Sequence, residues 1–148
     1  MEILSPVKGK VGTLKSLKDG VFSEEMMGKG FIIKPADSTI YAPITGKLTT
    51  VFPTGHAYGI EGKDGTNVLV HIGLDTVGLN GEGFKSLVKQ GKKIKAGKPI
   101  AKVNFAEIKS KVPSIDVIVV VTPDSTTTLG TIKVKGEVDA SVTITETA

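Results

Sequence analysis

The chain has 148 residues, 39% of them hydrophobic, and a net charge of +4, which predicts one globular domain over residues 1–148. The absence of cysteine excludes disulfides, a thiolate nucleophile and a thiolate metal site. All 19 basic residues are lysine and aromatics are only 5%, a pattern that argues against nucleic-acid binding. Residues 1–6 show no secretory signal, and the longest apolar run, residues 117–121, is too short to span a bilayer. We therefore expect a cytoplasmic monomer without membrane insertion.

Eighteen glycines and seven prolines indicate many tight turns, with short β-rich segments between them. Residues 5–11 open with a turn and start a strand. Further strands are predicted at residues 31–35, 39–43, 46–51, 57–61, 66–72, 116–121 and 133–145. Residues 23–27, with Ser23 as N-cap, and residues 84–88 are predicted to form short helical turns. The composition thus predicts an all-β fold with short helical turns.

Two seven-residue segments, 5–11 and 42–48, resemble each other. Both follow the pattern small, Pro, apolar, polar, Gly, Lys, apolar. The match predicts two similar β-turn-β corners within one sheet system, and it is too short to indicate a solenoid.

The chain has two histidines, His56 and His71, and a hairpin is predicted to connect their surroundings. A turn centred between Lys63 and Asp64 would place the two histidines directly opposite each other, with Cβ atoms about 4.5–5.5 Å apart. A turn centred one residue later would instead pair His71 with Tyr58. In the first register, the two imidazoles could hold a phosphoryl group or a metal.

His71 is predicted to point away from the main core. By strand alternation, Val68, Val70 and Ile72 face one side, whereas Leu69, His71 and Gly73 face the other. We expect the small Gly73 to leave space beside the imidazole. The alternative is a half-buried histidine whose ring is satisfied by a neighbouring carbonyl.

His56 lies in the segment Thr-Gly-His-Ala-Tyr, residues 54–58. In an extended segment, Thr54 and His56 share a face, so the threonine hydroxyl can fix the imidazole tautomer. That would decide which ring nitrogen is free to react. The alternative is a turn histidine exposed to water.

These segments carry a resemblance to a known family. The chain resembles the glucose-type enzyme IIA of the bacterial phosphotransferase system in four features. These are residues 54–58, the fifteen-residue separation of the histidines, the block Leu-Val-His-Ile-Gly-Leu-Asp-Thr-Val at residues 69–77, and Gly-Glu-Gly-Phe at residues 81–84. The likeness extends from Ser5 to about Val142. It implies a compact antiparallel β-sandwich, similar to a barrel.

The resemblance also implies a function and a role for each site residue. His71 would accept a phosphoryl group from the phosphocarrier protein HPr and pass it to a cysteine on the EIIB domain of a sugar permease. His56 would help to hold the phosphoryl group, and Thr54 would orient His56. No cofactor and no resident metal are implied, since phosphoryl transfer depends chiefly on positioning and charge stabilisation.

The family pattern further implies a surface for the two partners. Asp19 and Asp75 match acidic residues that meet arginines of the partners. An apolar ring around the histidines is matched by Val21, Phe22, Met26, Met27, Phe52 and Leu69. Methionines suit a surface that binds more than one partner, although each of these side chains could equally belong to the core. Lys29 departs from the frequent Gly-Asp-Gly of the family, which indicates a less acidic rim.

Two other functions are compatible with parts of the sequence. The first is a zinc hydrolase in which His56, His71 and Asp75 bind the metal, although no His-x-His pair or evident general base is present. The second is a lipoyl- or biotinyl-type carrier domain, which the turns of residues 91–100 resemble. That alternative lacks a lysine in the short hairpin motif that accepts the cofactor.

Overall fold

The computed structural model describes residues 1–148, and most of its regular secondary structure is strand. The strands are β1 (Glu2–Leu4), β2 (Gly9–Gly12), β3 (Lys29–Pro35), β4 (Thr39–Tyr41), β5 (Gly46–Val51), β6 (Ala57–Glu61), β7 (Asn67–Leu74), β8 (Phe84–Ser86), β9 (Lys93–Ile94), β10 (Pro99–Val103), β11 (Ser114–Val121), β12 (Glu137–Val138) and β13 (Thr143–Glu146). The helical elements are two 3₁₀ turns, Leu14–Leu17 and Thr76–Leu79, and one α-helical turn, α1 (Phe105–Ile108). None of them has the length and hydrophobicity needed to cross a membrane. The predicted all-β class with short helical turns is confirmed.

The strands form three antiparallel sheets. The largest has eight strands in the order β12-β2-β3-β11-β7-β6-β5-β9, the second has the order β4-β10-β8, and β1 pairs with β13. Every strand pair is antiparallel. The histidine-bearing strand β7 lies inside the large sheet between β11 and β6, so hydrogen bonds on both edges hold it in place.

The main core fills the space between the eight-stranded and the three-stranded sheets. Its cluster of 21 buried residues includes Phe31 and Ile33 from the large sheet, and Ile40 and Ile100 from the small one. Full burial of each large aliphatic side chain contributes about 1.5–3 kcal/mol. This arrangement is the β-sandwich that the resemblance to the enzyme IIA family implied.

Strand β11 is buried on both faces, which explains the unbroken apolar run at its end. Val117 and Val119 belong to the main core, whereas Ile118 and Val120 belong to a second cluster of six buried residues on the opposite face of the sheet. Leu14 and Phe22 cover this second face. Because β11 and β7 are neighbours, the second cluster also forms the floor beneath His71.

The two similar corners predicted from sequence each place a glycine against a neighbouring strand. A Cβ atom at Gly9 would lie 2.0 Å from the carbonyl oxygen of Lys34, and one at Gly46 would lie 2.1 Å from that of Glu61. Only glycine permits these backbone approaches. Gly9 begins β2 and Gly46 begins β5, both in the large sheet, as predicted.

The two helical turns predicted at residues 23–27 and 84–88 are wrong. Residues 22–27 form successive hydrogen-bonded turns, interrupted by the left-handed Glu25 (φ 59°), and Ser23 accepts a hydrogen bond from the Gly20 N–H instead of capping a helix. Residues 84–86 form β8, which pairs with β10. At residues 84–86, pairing with β10 overrides a weak local helical preference, whereas at residues 22–27 the left-handed Glu25 interrupts the helical geometry.

The long strand predicted at residues 133–145 is also wrong. Only β12 and β13 form there, separated by the left-handed Ser141 (φ 67°). Each pairs with a different partner, β12 with β2 and β13 with β1. The chain has to bend between the two pairings, so one continuous strand cannot form.

Candidate functional site

The hairpin that carries the histidines differs by one residue from the predicted register. His71 lies opposite Ala57, and the Ile72 N–H donates to the carbonyl oxygen of His56 at 2.7 Å. Neither the His56–His71 pairing nor the alternative Tyr58–His71 pairing is present. Beyond the two strands, the Gly62 N–H still donates to the carbonyl oxygen of Thr66, so the loop proper consists of residues 63–65 and ends at the left-handed Gly65 (φ 85°). A three-residue loop shifts the register relative to a two-residue loop.

The two imidazoles nevertheless meet. Their ring centroids lie 5.2 Å apart, and the ring planes make an angle of 82°. His56 precedes the first residue of β6 and follows Gly55, whose φ of 76° lies in the left-handed region, so the alternation of the strand does not fix its direction. The backbone turn, and not direct cross-strand pairing, brings the rings together.

His71 is oriented by the backbone of its own strand. Its Nδ1 atom lies 2.8 Å from the carbonyl oxygen of Gly73. A carbonyl oxygen only accepts hydrogen bonds, so Nδ1 carries the hydrogen in the neutral ring and the lone pair remains on Nε2. The carbonyl-satisfied histidine considered as an alternative is therefore present, and it leaves the other nitrogen nucleophilic.

Gly73 has a different role from the one predicted. It has a φ of 76°, and a Cβ atom there would lie 2.6 Å from Cγ2 of Thr76 and 2.8 Å from the carbonyl oxygen of Ser114. It therefore permits the backbone conformation that presents its carbonyl to His71, and it does not leave open space. A glycine inside a strand was the sequence signal for such an irregularity.

His56 is almost fully buried, with 2% of its surface exposed. Its Nδ1 atom lies 2.5 Å from Oγ1 of Thr54, so the predicted hydroxyl–imidazole contact is present. The edge of the Phe52 ring lies against His56, with ring centroids 5.1 Å apart. The alternative of a water-exposed turn histidine is wrong.

Both histidines are held in the neutral form at pH 7. Burial, together with the nearby His71, lowers the pKa of His56 to about 4. Burial also lowers the pKa of His71, against the opposing effects of the Gly73 carbonyl and the Asp19 carboxylate. A neutral ring retains the lone pair that nucleophilic attack requires.

The Asp19 carboxylate lies close enough to His71 to raise the pKa of that imidazole. Asp19 also holds the backbone of the segment that covers the second core cluster. Its carboxylate oxygens accept hydrogen bonds from the backbone N–H groups of residues 21–23. Burial favours a higher pKa for Asp19, but these hydrogen bonds outweigh it and keep the pKa below its usual value. Phe22 in this segment lies against His71, with ring centroids 5.2 Å apart.

Most of the predicted apolar ring is solvent-accessible. The exposed side chains are Val21, Met26, Met27 and Phe52, with Met26 the most exposed at 66%. Leu69 is half-buried, whereas Phe22 is only 7% exposed and belongs to the second core cluster. Asp75 is exposed at the start of the second 3₁₀ turn. Two residues further on, Val77 is also exposed. It was not predicted as part of the apolar ring, although it lies in the motif of residues 69–77.

The ligand set of the zinc-hydrolase alternative is not assembled. His56, His71 and Asp75 do not form a cluster of three side chains able to hold a metal ion. Without a third protein ligand, the arrangement lacks the three-ligand pattern of catalytic zinc sites.

The family to which the site belongs is decided by comparison with known proteins. The model of the family "phosphoenolpyruvate-dependent sugar phosphotransferase system, EIIA 1" matches residues 1–127. The chain belongs to this EIIA family. The membership excludes the lipoyl- or biotinyl-type carrier, and it makes the chain a phosphotransferase component of sugar transport, as predicted.

Two relatives and one solved structure show how closely this EIIA chain follows its family. It is 44% identical over 138 residues to the glucose-specific EIIA component of Mycoplasma capricolum, covering 93% of this chain and 89% of the relative. It is 40% identical over 136 residues to the β-glucoside-specific EIIBCA component of Bacillus subtilis, covering 92% of this chain and 22% of that longer protein. The structure of the glucose permease IIA from Mycoplasma capricolum superposes with a TM-score of 0.91 at 41% identity, covering 98% of this chain and 94% of the other.

Proposed function

We propose that this EIIA chain carries a phosphoryl group on Nε2 of His71, receives it from phospho-HPr and passes it to a cysteine of an EIIB domain. The observation that carries the proposal is the hydrogen bond from His71 Nδ1 to the Gly73 carbonyl, because it directs the lone pair of the neutral ring to Nε2. In the first step, Nε2 attacks phosphorus while the bond between phosphorus and the donor breaks. In the second step, a thiolate of EIIB attacks and Nε2 leaves.

His56 is proposed to stabilise the phosphoryl oxygens. If the Thr54 hydroxyl donates to Nδ1 of His56, the hydrogen of the neutral His56 ring lies on Nε2, where it can be donated to a phosphoryl oxygen. The centroid separation of 5.2 Å between the rings leaves a group on His71 within reach of His56. The negative charge of the phosphoryl group would raise the pKa of His56 from about 4 and strengthen this hydrogen bond.

The surface around the histidines is proposed to bind both partners in turn. Val21, Met26, Met27 and Phe52 present exposed apolar area, and Asp19 and Asp75 add negative charge. Flexible methionines can repack against two different surfaces. The Bacillus subtilis relative is named as an EIIBCA component, which supports an EIIB domain as one of the two partners.

The scheme implies further properties of the chain, which we propose with it. Residues 1–148 act as one domain and as a monomer, without a cofactor or resident metal. The location is the cytoplasm, since phosphoenolpyruvate, the source of the phosphoryl group in the family's description, is a cytoplasmic metabolite.

Reconstitution of the phosphoryl relay tests the proposal. The chain is incubated with enzyme I, HPr and labelled phosphoenolpyruvate, and an EIIB domain with its sugar permease is then added. We expect acid-labile label on the wild type and none on His71→Ala. His56→Gln should accept label but transfer it poorly to EIIB. Label that persists on His71→Ala would place the phosphoryl group elsewhere, and normal sugar phosphorylation by His56→Gln would show that His56 is dispensable.

A further inference from the structure

A groove lined by lysines lies at the end of the β5–β6 hairpin that is remote from the histidines. Its volume is about 500 Å³, and we call it the lysine groove because Lys47, Lys63, Lys93 and Lys95 lie along it. Four residue steps along β5 lead from Lys47, which pairs with Glu61 beside the groove, to Val51, which pairs with Tyr58 near the site, roughly 13 Å at 3.3 Å per residue. The groove is therefore separate from the histidine surface.

The positive charges of the lysine groove are not fully neutralised within the chain. The three ion pairs of the protein are Lys34–Asp116, Lys111–Glu82 and Lys133–Glu146, and none involves a lysine of the groove. Glu61 is the one acidic side chain among the lining residues. Four lysines against one glutamate leave a net charge of +3, which favours an anionic ligand.

Strand pairing forces two of these lysines together. Lys47 on β5 lies directly opposite Lys93 on β9, and like charges in such positions repel each other. The pairing is fixed, because the Leu48 N–H donates to the carbonyl oxygen of Lys92 and the Ala96 N–H donates to Oγ1 of Thr45. An anion bound between the two ammonium groups would relieve the repulsion.

The lining also indicates which kind of anion fits. Lysine acts as a point-charge phosphate binder, and the groove volume lies in the usual range for small-molecule sites. Glu61 lies opposite Lys47 on the other side of β5, so its carboxylate can accept hydrogen bonds from ligand hydroxyls beside the phosphate site. No aromatic side chain lines the groove, so a nucleobase would find no ring on which to stack. We propose that the lysine groove binds a phosphorylated sugar.

Calorimetric titration of the full chain tests the ligand class. The probes are inorganic phosphate, a hexose 6-phosphate and a hexose 1,6-bisphosphate at constant ionic strength. We expect saturable binding with one site per chain, tightest for the bisphosphate and weakest for inorganic phosphate. Absence of saturable binding, or equal affinity for inorganic phosphate and the two sugar phosphates, would overturn the proposal. The proposal would also be overturned if the protein bound vesicles of anionic phospholipid but neither of the two sugar phosphates.

Matched lysine variants test the location. Lys47→Gln/Lys93→Gln should weaken sugar phosphate binding about tenfold or more, since charge-assisted hydrogen bonds are lost. The control, Lys8→Gln/Lys135→Gln, removes the same charge from exposed positions near β2, toward the opposite edge of the large sheet. It should bind as the wild type does, and an equal loss in both variants would show that only net charge matters. Two-dimensional NMR spectra verify that each variant is folded.

A Glu61→Ala variant tests the role of the carboxylate. Its loss removes the proposed hydroxyl acceptor and also a negative charge, so phosphate attraction itself should not weaken. We expect a smaller ratio of sugar phosphate affinity to inorganic phosphate affinity than in the wild type. An unchanged ratio would contradict recognition of the sugar by this groove.

Discussion

Nδ1 of His71 lies 2.8 Å from the carbonyl oxygen of Gly73, two residues further along the same strand. This short-range bond determines the tautomer of the neutral ring, because the carbonyl can only accept. It depends on a left-handed backbone at Gly73, in a position where a side chain would collide with Thr76. The proposed nucleophile is thus oriented by one peptide group.

Gly73→Ala should disturb this orientation. The added Cβ atom would lie 2.6 Å from Cγ2 of Thr76, and a residue with a side chain at φ 76° is strained by about 1–3 kcal/mol. We expect a lower free energy of unfolding in urea and roughly tenfold slower phosphorylation by phospho-HPr. Gly78→Ala is the control, since a Cβ atom at Gly78 would meet nothing within 4 Å. Equal effects of the two substitutions would contradict the role of Gly73.

Thr54→Val should slow phosphoryl transfer to EIIB. Valine has nearly the same shape as threonine but lacks the hydroxyl that contacts His56 Nδ1, so the imidazole tautomer is no longer fixed. We expect transfer to fall by up to about tenfold, corresponding to one lost hydrogen bond. Thr54→Ser retains the hydroxyl and should transfer at nearly the wild-type rate. A wild-type rate for Thr54→Val would remove Thr54 from the mechanism.

Titration of the His56 ring followed by NMR should show a midpoint near pH 4, well below the ordinary value of 6.5. Between these two pH values, the unfolded chain binds a proton that folded His56 does not bind. The stabilising contribution of neutral, buried His56 is therefore complete above pH 6.5 and decreases as the pH falls toward 4. His71, whose pKa is also lowered by burial, acts in the same direction.

The His56→Gln variant is the control for measuring how the free energy of unfolding depends on pH. Its free energy of unfolding should depend less steeply on pH between 6.5 and 4 than that of the wild type, since one of the two imidazoles with a lowered pKa is absent. A ring midpoint near 6.5, or identical pH slopes for both proteins, would show that burial does not depress the His56 pKa.

Met26→Ala should weaken the encounter with phospho-HPr without affecting the fold. The side chain is 66% exposed, so its removal costs little stability, whereas a lost interface contact raises KM severalfold at unchanged kcat. Val142→Ala serves as the control because Val142 is also exposed but lies in the C-terminal segment beside β13. An unchanged KM for Met26→Ala would exclude Met26 from the docking surface.

Some features of the site were determined by the sequence alone because they depend on short-range geometry. The alternation along β7 placed Val68 and Val70 in the core and His71 on the other face, as the structure shows. Only Gly55 separates Thr54 from His56, and their side chains make the predicted contact, although a left-handed turn at Gly55 and not an extended segment brings them together. The turn-forming composition and short apolar runs predicted the all-β class correctly.

Only the tertiary structure decided the features that depend on competition between distant segments. The hairpin register follows from the conformation of Gly65, and the strand at Phe84 forms because β10 offers hydrogen-bond partners that a short helical turn lacks. The opposition of Lys47 and Lys93 likewise exists only because β9 closes the edge of the large sheet. Local preferences amount to fractions of a kcal/mol per residue, so long-range pairing and burial outweigh them. The sequence therefore pointed to the two histidines as the candidate site, and the folded chain determined how their rings are placed and oriented.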